Sequence, residues 1–314
     1  MYLFFAVLML SCVYAQAQTI TETFGSGANQ FQIEFVTIGT PGNEADTTGN
    51  PRPVGRVDYV YNLGKYEISR EMINMANSAG GLGISLADLS NHGGNGDLRP
   101  GTGISWLEAA RFVNWLNLST GASAAYKFDD NGNVQTWSSG EAGFQTSNPT
   151  RNSFAAYFLP TRDEWYKAAY GSPNGEWFNY PNGSDAKPAI VSGGTSGAVY
   201  GLDSPGSSPA DIMAAGGPSL YGTVAQGGNA WEWMENIQAG GGHSAWIGEI
   251  RGGSWQTGGG VHDNLASLNY DAWDAGVELF DTGFRVAMVP EPSSLSLLLA
   301  GWAVLMTGRR RKQD

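Results

Sequence analysis

Only one cysteine stands in the 314 residues: Cys12, inside an apolar N-terminal stretch. Once that stretch is cleaved, no thiol remains, which excludes a disulfide framework, a CxxC metal site and a cysteine nucleophile. Export stays compatible, because a chain with a large core does not depend on disulfide staples. Charge is scarce as well, with 15% charged residues and a formal net charge of −12. That balance excludes a nucleic-acid partner, since phosphate recognition needs clustered Lys and Arg. The histidines are few. His92, His243 and His262 fall in separate glycine-rich stretches with no H-x-x-H or HExxH spacing, so no local histidine metal motif is present. There is no G-x-S-x-G nucleophile elbow. Gly258-Gly259-Gly260 is not followed by the Lys-Ser or Lys-Thr of a phosphate loop.

What is present in excess is glycine, 45 residues, about twice the usual share. Glycine reaches backbone angles that other residues avoid, so the chain is expected to be rich in turns and loops. With 41% hydrophobic and 12% aromatic residues it still has the composition of a folded protein.

Both ends read as addresses. "MYLFFAVLMLSCVYAQA", residues 1–17, is an apolar run ending in Ala15-Gln16-Ala17, the small-x-small pattern that signal peptidase cuts after. At the other end, Pro290-Glu291-Pro292 precede an uncharged run from Ser293 to Gly308, and then Arg309, Arg310, Arg311 and Lys312. A basic cluster of this kind stays on the cytoplasmic side of a membrane. The arrangement over 290–314 resembles the PEP-CTERM sorting signal of Gram-negative bacteria. The resemblance implies a transient transmembrane helix, removal by an exosortase, and delivery to the envelope or the exopolysaccharide layer. An ordinary tail anchor is the alternative, and it too implies export.

Between the ends, "FQIEFVTIG" and "VDYVYNLGKYEIS" carry β-type patterning. "SREMINMANSAG" predicts a short helix capped by Ser69, with Met72, Ile73, Met75 and Ala76 as its apolar stripe. "SWLEAARFVNWLN" is the clearest helix. Ser105 and Glu108 make a capping box, and Trp106, Ala109, Ala110, Val113 and Leu116 recur at helical spacing. "TRDEWYKAAY" repeats the device with Thr161 and Glu164, burying Trp165 and Ala168. "AAYKFDDNGNVQTW" reads as a hairpin around Asp130-Asn131-Gly132. Asp129, Asn131 and Asn133 imitate the start of a calcium loop, but Val134 and Gly140 stand where that loop needs Gly and Glu. From Gly171 to Gly228 the chain is rich in Gly, Ser, Pro and Asn, and a stretch that long is functional or held in place, a bound cation being one means.

Six phrases stand in order: "LGKYEISREM", "GISWLEAARFVNWLN", "FLPTRDEWYKAAY", "GGNAWEWMEN", "RGGSW" and "DTGFRVAMV". In this order they resemble the formylglycine-generating enzyme family, the sulfatase-modifying factor domain. The resemblance implies one α+β domain over residues 24–289, with C-type-lectin-like topology, low regular secondary structure and many loops. Trp231, Trp233, Arg251, Trp255 and Arg285 become scaffold, the two arginines ordering loops. The resemblance also implies a structural calcium ion held by the carbonyls of Gly228 and Ala230 and the carboxylate of Glu232, an oxygen-only set that suits a hard cation. The sequence departs from the family at Ala225, where an Asn or Asp is expected. The larger departure follows "RGGS", where the family places the cysteine pair that binds copper and the substrate thiol. No cysteine occurs there, so copper and the family's oxidase reaction are not expected.

The segment from Gln256 to Phe280 carries Asn264, Asn269, Tyr270, Asp271, Trp273 and Asp274. Exposed aromatics beside amides and carboxylates suit a sugar or peptide site, whereas isolated aromatics more often serve the core. The expected function is therefore a non-catalytic, exported binding or structural component of the envelope or exopolysaccharide matrix. Signal peptidase and exosortase would be processing partners, and exopolysaccharide or another envelope protein the lasting one. An enzyme of the same superfamily with altered, cysteine-independent chemistry is the alternative.

Overall fold

The computed structural model describes residues 19–201, 207–240, 245–256 and 264–290. The apolar leader, the Ser293–Gly308 run and the residues Glu291, Pro292, Arg309, Arg310 and Arg311 lie outside them. Two strands open the described chain, β1 (Thr19–Phe24) and β2 (Phe31–Ile38), paired antiparallel from Thr19↔Val36 to Phe24↔Phe31. Alternation explains β2: Phe31, Ile33 and Phe35 point into the core while Gln32 faces solvent.

Within "VDYVYNLGKYEIS" only Tyr61–Gly64 forms a strand, β3. It is followed by helix α1 (Arg70–Gly80), whose cap Ser69 accepts from the Met72 amide. At its other end Gly81 takes a left-handed φ of 63° and returns its N–H to the Asn77 carbonyl. Ile73 and Ala76 are fully buried, whereas Met72 and Met75 are only half-buried against the core. Helix α2 (Trp106–Ser119) and helix α3 (Arg162–Tyr170) both start with complete capping boxes, from Ser105 and Thr161. The predicted face of α2, Trp106, Ala109, Ala110, Val113 and Leu116, is buried throughout.

The hairpin lies between α2 and α3 as β4 (Lys127–Phe128) and β5 (Val134–Gln135). Its turn is closed by Asp129, whose Oδ1 accepts from the amides of Asn131 and Asn133, so the turn carboxylate is spent on backbone. Strand β6 (Tyr157–Phe158) precedes α3. After α3 and the glycine-rich region come β7 (Trp231–Ala239), β8 (Trp246–Arg251), β9 (Asp271–Asp274), β10 (Thr282–Gly283) and β11 (Ala287–Met288).

These strands make an antiparallel sheet of order β1-β2-β3-β11-β6 and a second sheet of order β10-β7-β8-β9. In the second sheet β10 runs parallel to β7 and the other pairs are antiparallel. The main core lies around α1, α2 and the first sheet, and Trp233 and Ile250 bring the second sheet into it. Among the described residues, three α-helices, short strands and extensive loop give the expected α+β architecture. The region 171–228 is tied by isolated backbone bridges such as Ile190↔Ala198 and Gly194↔Ala215, and by a small cluster around Val199, Ala210, Ala215 and Trp255. Among the described residues no helix is long and apolar enough to cross a membrane.

Candidate functional site

The turn before β7 is set by two residues with left-handed backbone. Gly228 has φ 92°, and a Cβ there would stand 2.4 Å from the Val199 carbonyl oxygen. Asn229, φ 62°, is a buried strut: its Nδ2 donates to Glu67 Oε2 at 2.6 Å and its Oδ1 accepts from the Ala210 amide at 2.8 Å. The chain then enters β7, where Glu232 is fully buried.

The Glu232 carboxylate is met on both oxygens by one arginine. Arg285 Nε donates to Oε2 and Nη2 donates to Oε1, each at 2.6 Å, the fork geometry that guanidinium and carboxylate share. The indole of Trp165 adds a third bond to Oε2 at 2.7 Å. Arg285 also donates to the carbonyls of Gly64 and Val224, both at 2.9 Å. Beside this pair lies a second buried carboxyl, Glu67, accepting from the Ala230 amide and from Asn229. Burial first, and then the nearby Glu232 charge, push Glu67 up to about 8, against the lowering influence of Arg285. Arg285 thus pairs with Glu232 and reaches Glu67 only through its field, and a proton on Glu67 at neutral pH balances the charge.

This centre is closed to a substrate, so Glu232 is not placed for acid–base chemistry. Nor do the residues fit calcium. Of the implied ligand set, Gly228, Ala230 and Glu232, only Glu232 brings charge, and its carboxylate already binds a cation. Ala225 supplies no side-chain oxygen, yet it keeps a left-handed φ of 64°, the conformation that Asn or Asp takes most readily after glycine. Here a guanidinium neutralises the charge that an ion would otherwise neutralise. Among the described residues no cluster of three His, Cys, Asp or Glu side chains is arranged to hold a metal.

The second group of candidates lies on and before β9. Tyr270 and Trp273 are both exposed, at 40% and 45%, which decides against the core alternative. They do not share a face. Trp273 and Asp271, two positions apart, point to one side of β9, opposite Gly248 and Ile250. Tyr270 leans on the Arg251 guanidinium at 5.1 Å, on the side of Glu249. Arg251 is fully buried, donating to Glu249 Oε1 and to the Asn50 carbonyl, each at 2.6 Å. Arg162 holds the other Glu249 oxygen through Nε at 2.6 Å. Asn269 presents its carbonyl to Arg251, and Asn264 is half-buried at the start of this segment. Of the candidates in this segment, Trp273 and Asp271 therefore lie on one side of β9 and Tyr270 on the other.

His92 does not assemble with a second histidine among the described residues. Its Nδ1 lies 2.8 Å from the Ser207 carbonyl and its ring packs 5.2 Å from that of Phe280. His243 and His262 lie outside the described residues.

One grouping has no sequence signature. Arg151, from the loop before β6, lies between Glu164 and Glu235, with N···O separations of 3.8 and 3.5 Å. Tyr59 donates to Glu164 Oε1 at 2.6 Å, and Tyr126 to Glu235 Oε1 at 2.9 Å. Glu164 reads as a helix cap from its spacing, and it is one. Its second role depends on residues far away in the chain.

Residues 35–289 match the sulfatase-modifying factor enzyme 1-like domain, and the chain belongs to that family. Among solved structures it is similar to Treponema denticola variable protein 1, with TM-score 0.57 and 20% identity, covering 86% of this chain and 99% of that one. It is also similar to CarF, with TM-score 0.59 and 20% identity, covering 82% and 99% of the two chains. At such identities the likeness is one of fold. No curated protein matches the sequence.

Proposed function

We propose that this member of the sulfatase-modifying factor family is an exported, non-catalytic protein that binds or builds the envelope or exopolysaccharide matrix. In this reading the leader at residues 1–17 directs export. Pro290, Glu291 and Pro292, with Arg309, Arg310 and Arg311, direct exosortase sorting, leaving a tethered or released domain. The observation that carries the reading is the absence of any cysteine after Cys12. Thiolate is the soft ligand that copper chemistry of the family's kind requires, and hard or neutral side chains do not substitute for it. What the fold does offer outward is an edge strand with Trp273 and Asp271 on one side and Tyr270 on the other, surface suited to stacking and hydrogen bonding.

The test is retention of the purified protein on exopolysaccharide from the producing cells, together with an oxidase assay on a sulfatase-type thiol peptide supplied with copper. Retention without turnover is the expected result. Specific turnover, or passage through the matrix without delay, rejects the reading. Chelator in the wash is expected to leave retention unchanged, because Glu232 is held by Arg285.

A further inference from the structure

Where β7 runs on past Glu232 it forms one wall of a cavity of about 730 Å³. None of the residues offered from sequence as ligand or metal contacts lines it. Its lining combines Glu235 of β7, Trp246 of β8, Tyr59 from the loop before β3, and Asn148 and Arg151 from the loop before β6. The volume is that of a small-molecule site. Its lining sets short hydroxyl and amide side chains between aromatic walls.

The charges on its floor are unevenly satisfied. Arg151 stacks over Phe158, its Cζ 3.7 Å from the ring centroid, and its buried Nη1 has no hydrogen-bond partner within the protein, the facing Glu164 Oε1 standing 3.8 Å away, beyond hydrogen-bond reach. Buried donors are nearly always paired, so an unpaired one calls for an acceptor that arrives with a ligand or with water. Glu235 Oε2 accepts one hydrogen bond, from Asn148 Nδ2 at 2.5 Å, and a carboxylate oxygen takes two. One group therefore lacks an acceptor and the next has room for a donor. A hydroxyl supplies both. An ammonium offers only donors, and a phosphate or carboxylate would meet Glu235, Asp163 and Asp58 in the lining, against Arg151, which lies between Glu235 and Glu164, and Arg56, which is paired with Asp58. Burial holds Glu235 up to about 7 and raises Asp163 as well, in keeping with a floor that does not attract anions or pay for extra charge.

We propose that this cavity is the protein's glycan seat and takes a short neutral oligosaccharide, one sugar face stacking on Trp246 or Tyr59 and its hydroxyls bridging Arg151, Glu235 and Asn148. The inference rests on the binding reading above and gives it a ligand class and a location different from the β9 surface.

Calorimetric titration of the purified full chain with neutral glucan, mannan and galactan tetrasaccharides, and with an acidic oligogalacturonate, tests it. At least one neutral probe is expected to bind while the acidic probe does not. Trp246→Ala and Asn148→Ala are each expected to weaken that binding at least tenfold, and Leu118→Ala, at an exposed position of α2 outside the cavity lining, to leave it unchanged; Trp273→Ala, made alongside, reports on the β9 surface. Circular dichroism and unfolding midpoints confirm that each variant is folded, and the Asn148 variant keeps the test open should the Trp246 variant fail to fold. Binding that survives in both cavity variants, binding lost only with Trp273→Ala, preference for the acidic probe, or no binding by any neutral probe overturns the proposal. In each of these cases retention on the native matrix is still measured separately, so the failure of the cavity is distinguished from the failure of the binding reading.

Discussion

Replacing Arg285 by methionine removes the cation that pairs with the buried Glu232 and whose charge also acts on the buried Glu67. Glu232 and Glu67 are each within 1% of full burial, and Arg285 itself is completely buried. Breaking such a pair by deleting one partner costs about 3–5 kcal/mol, because an uncompensated charge is left in the interior. The lost bonds to Gly64 and Val224 fall within the same range, since truncation energies already contain the partners left unpaired. Against a typical stability of about 5–15 kcal/mol, the variant should fold only marginally at pH 8. At pH 5 the penalty should be smaller, because Glu67, which burial holds up to about 8, then carries its proton and adds no second charge to the site. Urea unfolding followed by tryptophan fluorescence at the two pH values measures this. Adding Glu232→Gln should restore a large part of the loss, the coupling being read from a double-mutant cycle. A penalty under about 1 kcal/mol at pH 8, or the same penalty at both pH values, refutes the reasoning. So does a fall in wild-type stability on adding chelator, since the guanidinium would then not be what neutralises Glu232.

Wild-type stability should itself fall as pH rises from 4.5 toward about 8. Glu67 and Glu235 keep their protons up to about 8 and about 7 in the folded chain against 4.5 in the reference state, so the native state binds more protons across that window. A flat or rising midpoint in scanning calorimetry over the window contradicts this. Gly228→Ala should destabilise by about 1–3 kcal/mol, since its φ is left-handed and the added methyl meets the Val199 carbonyl; chemical denaturation reads it. Ser105→Ala should cost about 1 kcal/mol by loss of the capping box, and a value near zero would mean that the start of α2 is held by packing alone.

The parts legible in the sequence were those whose physics is local. Ser105 with Glu108 and Thr161 with Glu164 announce helix starts because a capping box closes over three residues. The Asp129–Asn133 turn is closed by its own first side chain. The face of α2 follows from periodicity. By contrast, the partner of Glu232 lies 53 residues away, and nothing at either position marks the pairing. Tyr270 and Trp273 were legible as aromatics in a polar segment. Their division between two sides of β9 depends on where the strand begins, which a four-residue element hardly signals. Arg151, Glu164 and Glu235 come from a loop, a helix start and a strand, so their meeting is a product of topology alone. The same is true of the cavity they floor.

Two sheets and a long irregular region have to be fastened without a thiol, and buried arginines do the fastening. Arg285, between β10 and β11, reaches the end of β3 through Gly64, the loop at Val224 and β7 through Glu232. It therefore joins the first sheet to the second. Arg251, at the end of β8, ties Asn50 to Glu249 and supports Tyr270. Arg151 sits between Glu164 at the start of α3 and Glu235 on β7. Each is desolvated, and each therefore tolerates little displacement from its carboxylate. Charge-assisted pairs of this kind fix direction as well as distance, which a hydrophobic contact does not. A surface built on such fasteners presents Trp246 and Trp273 in fixed orientations from neighbouring strands, and fixed aromatic faces lose little entropy on binding a rigid ring. The scarce charge of this chain is thus concentrated where its loops need order, and the surfaces it holds in place are polar and aromatic ones.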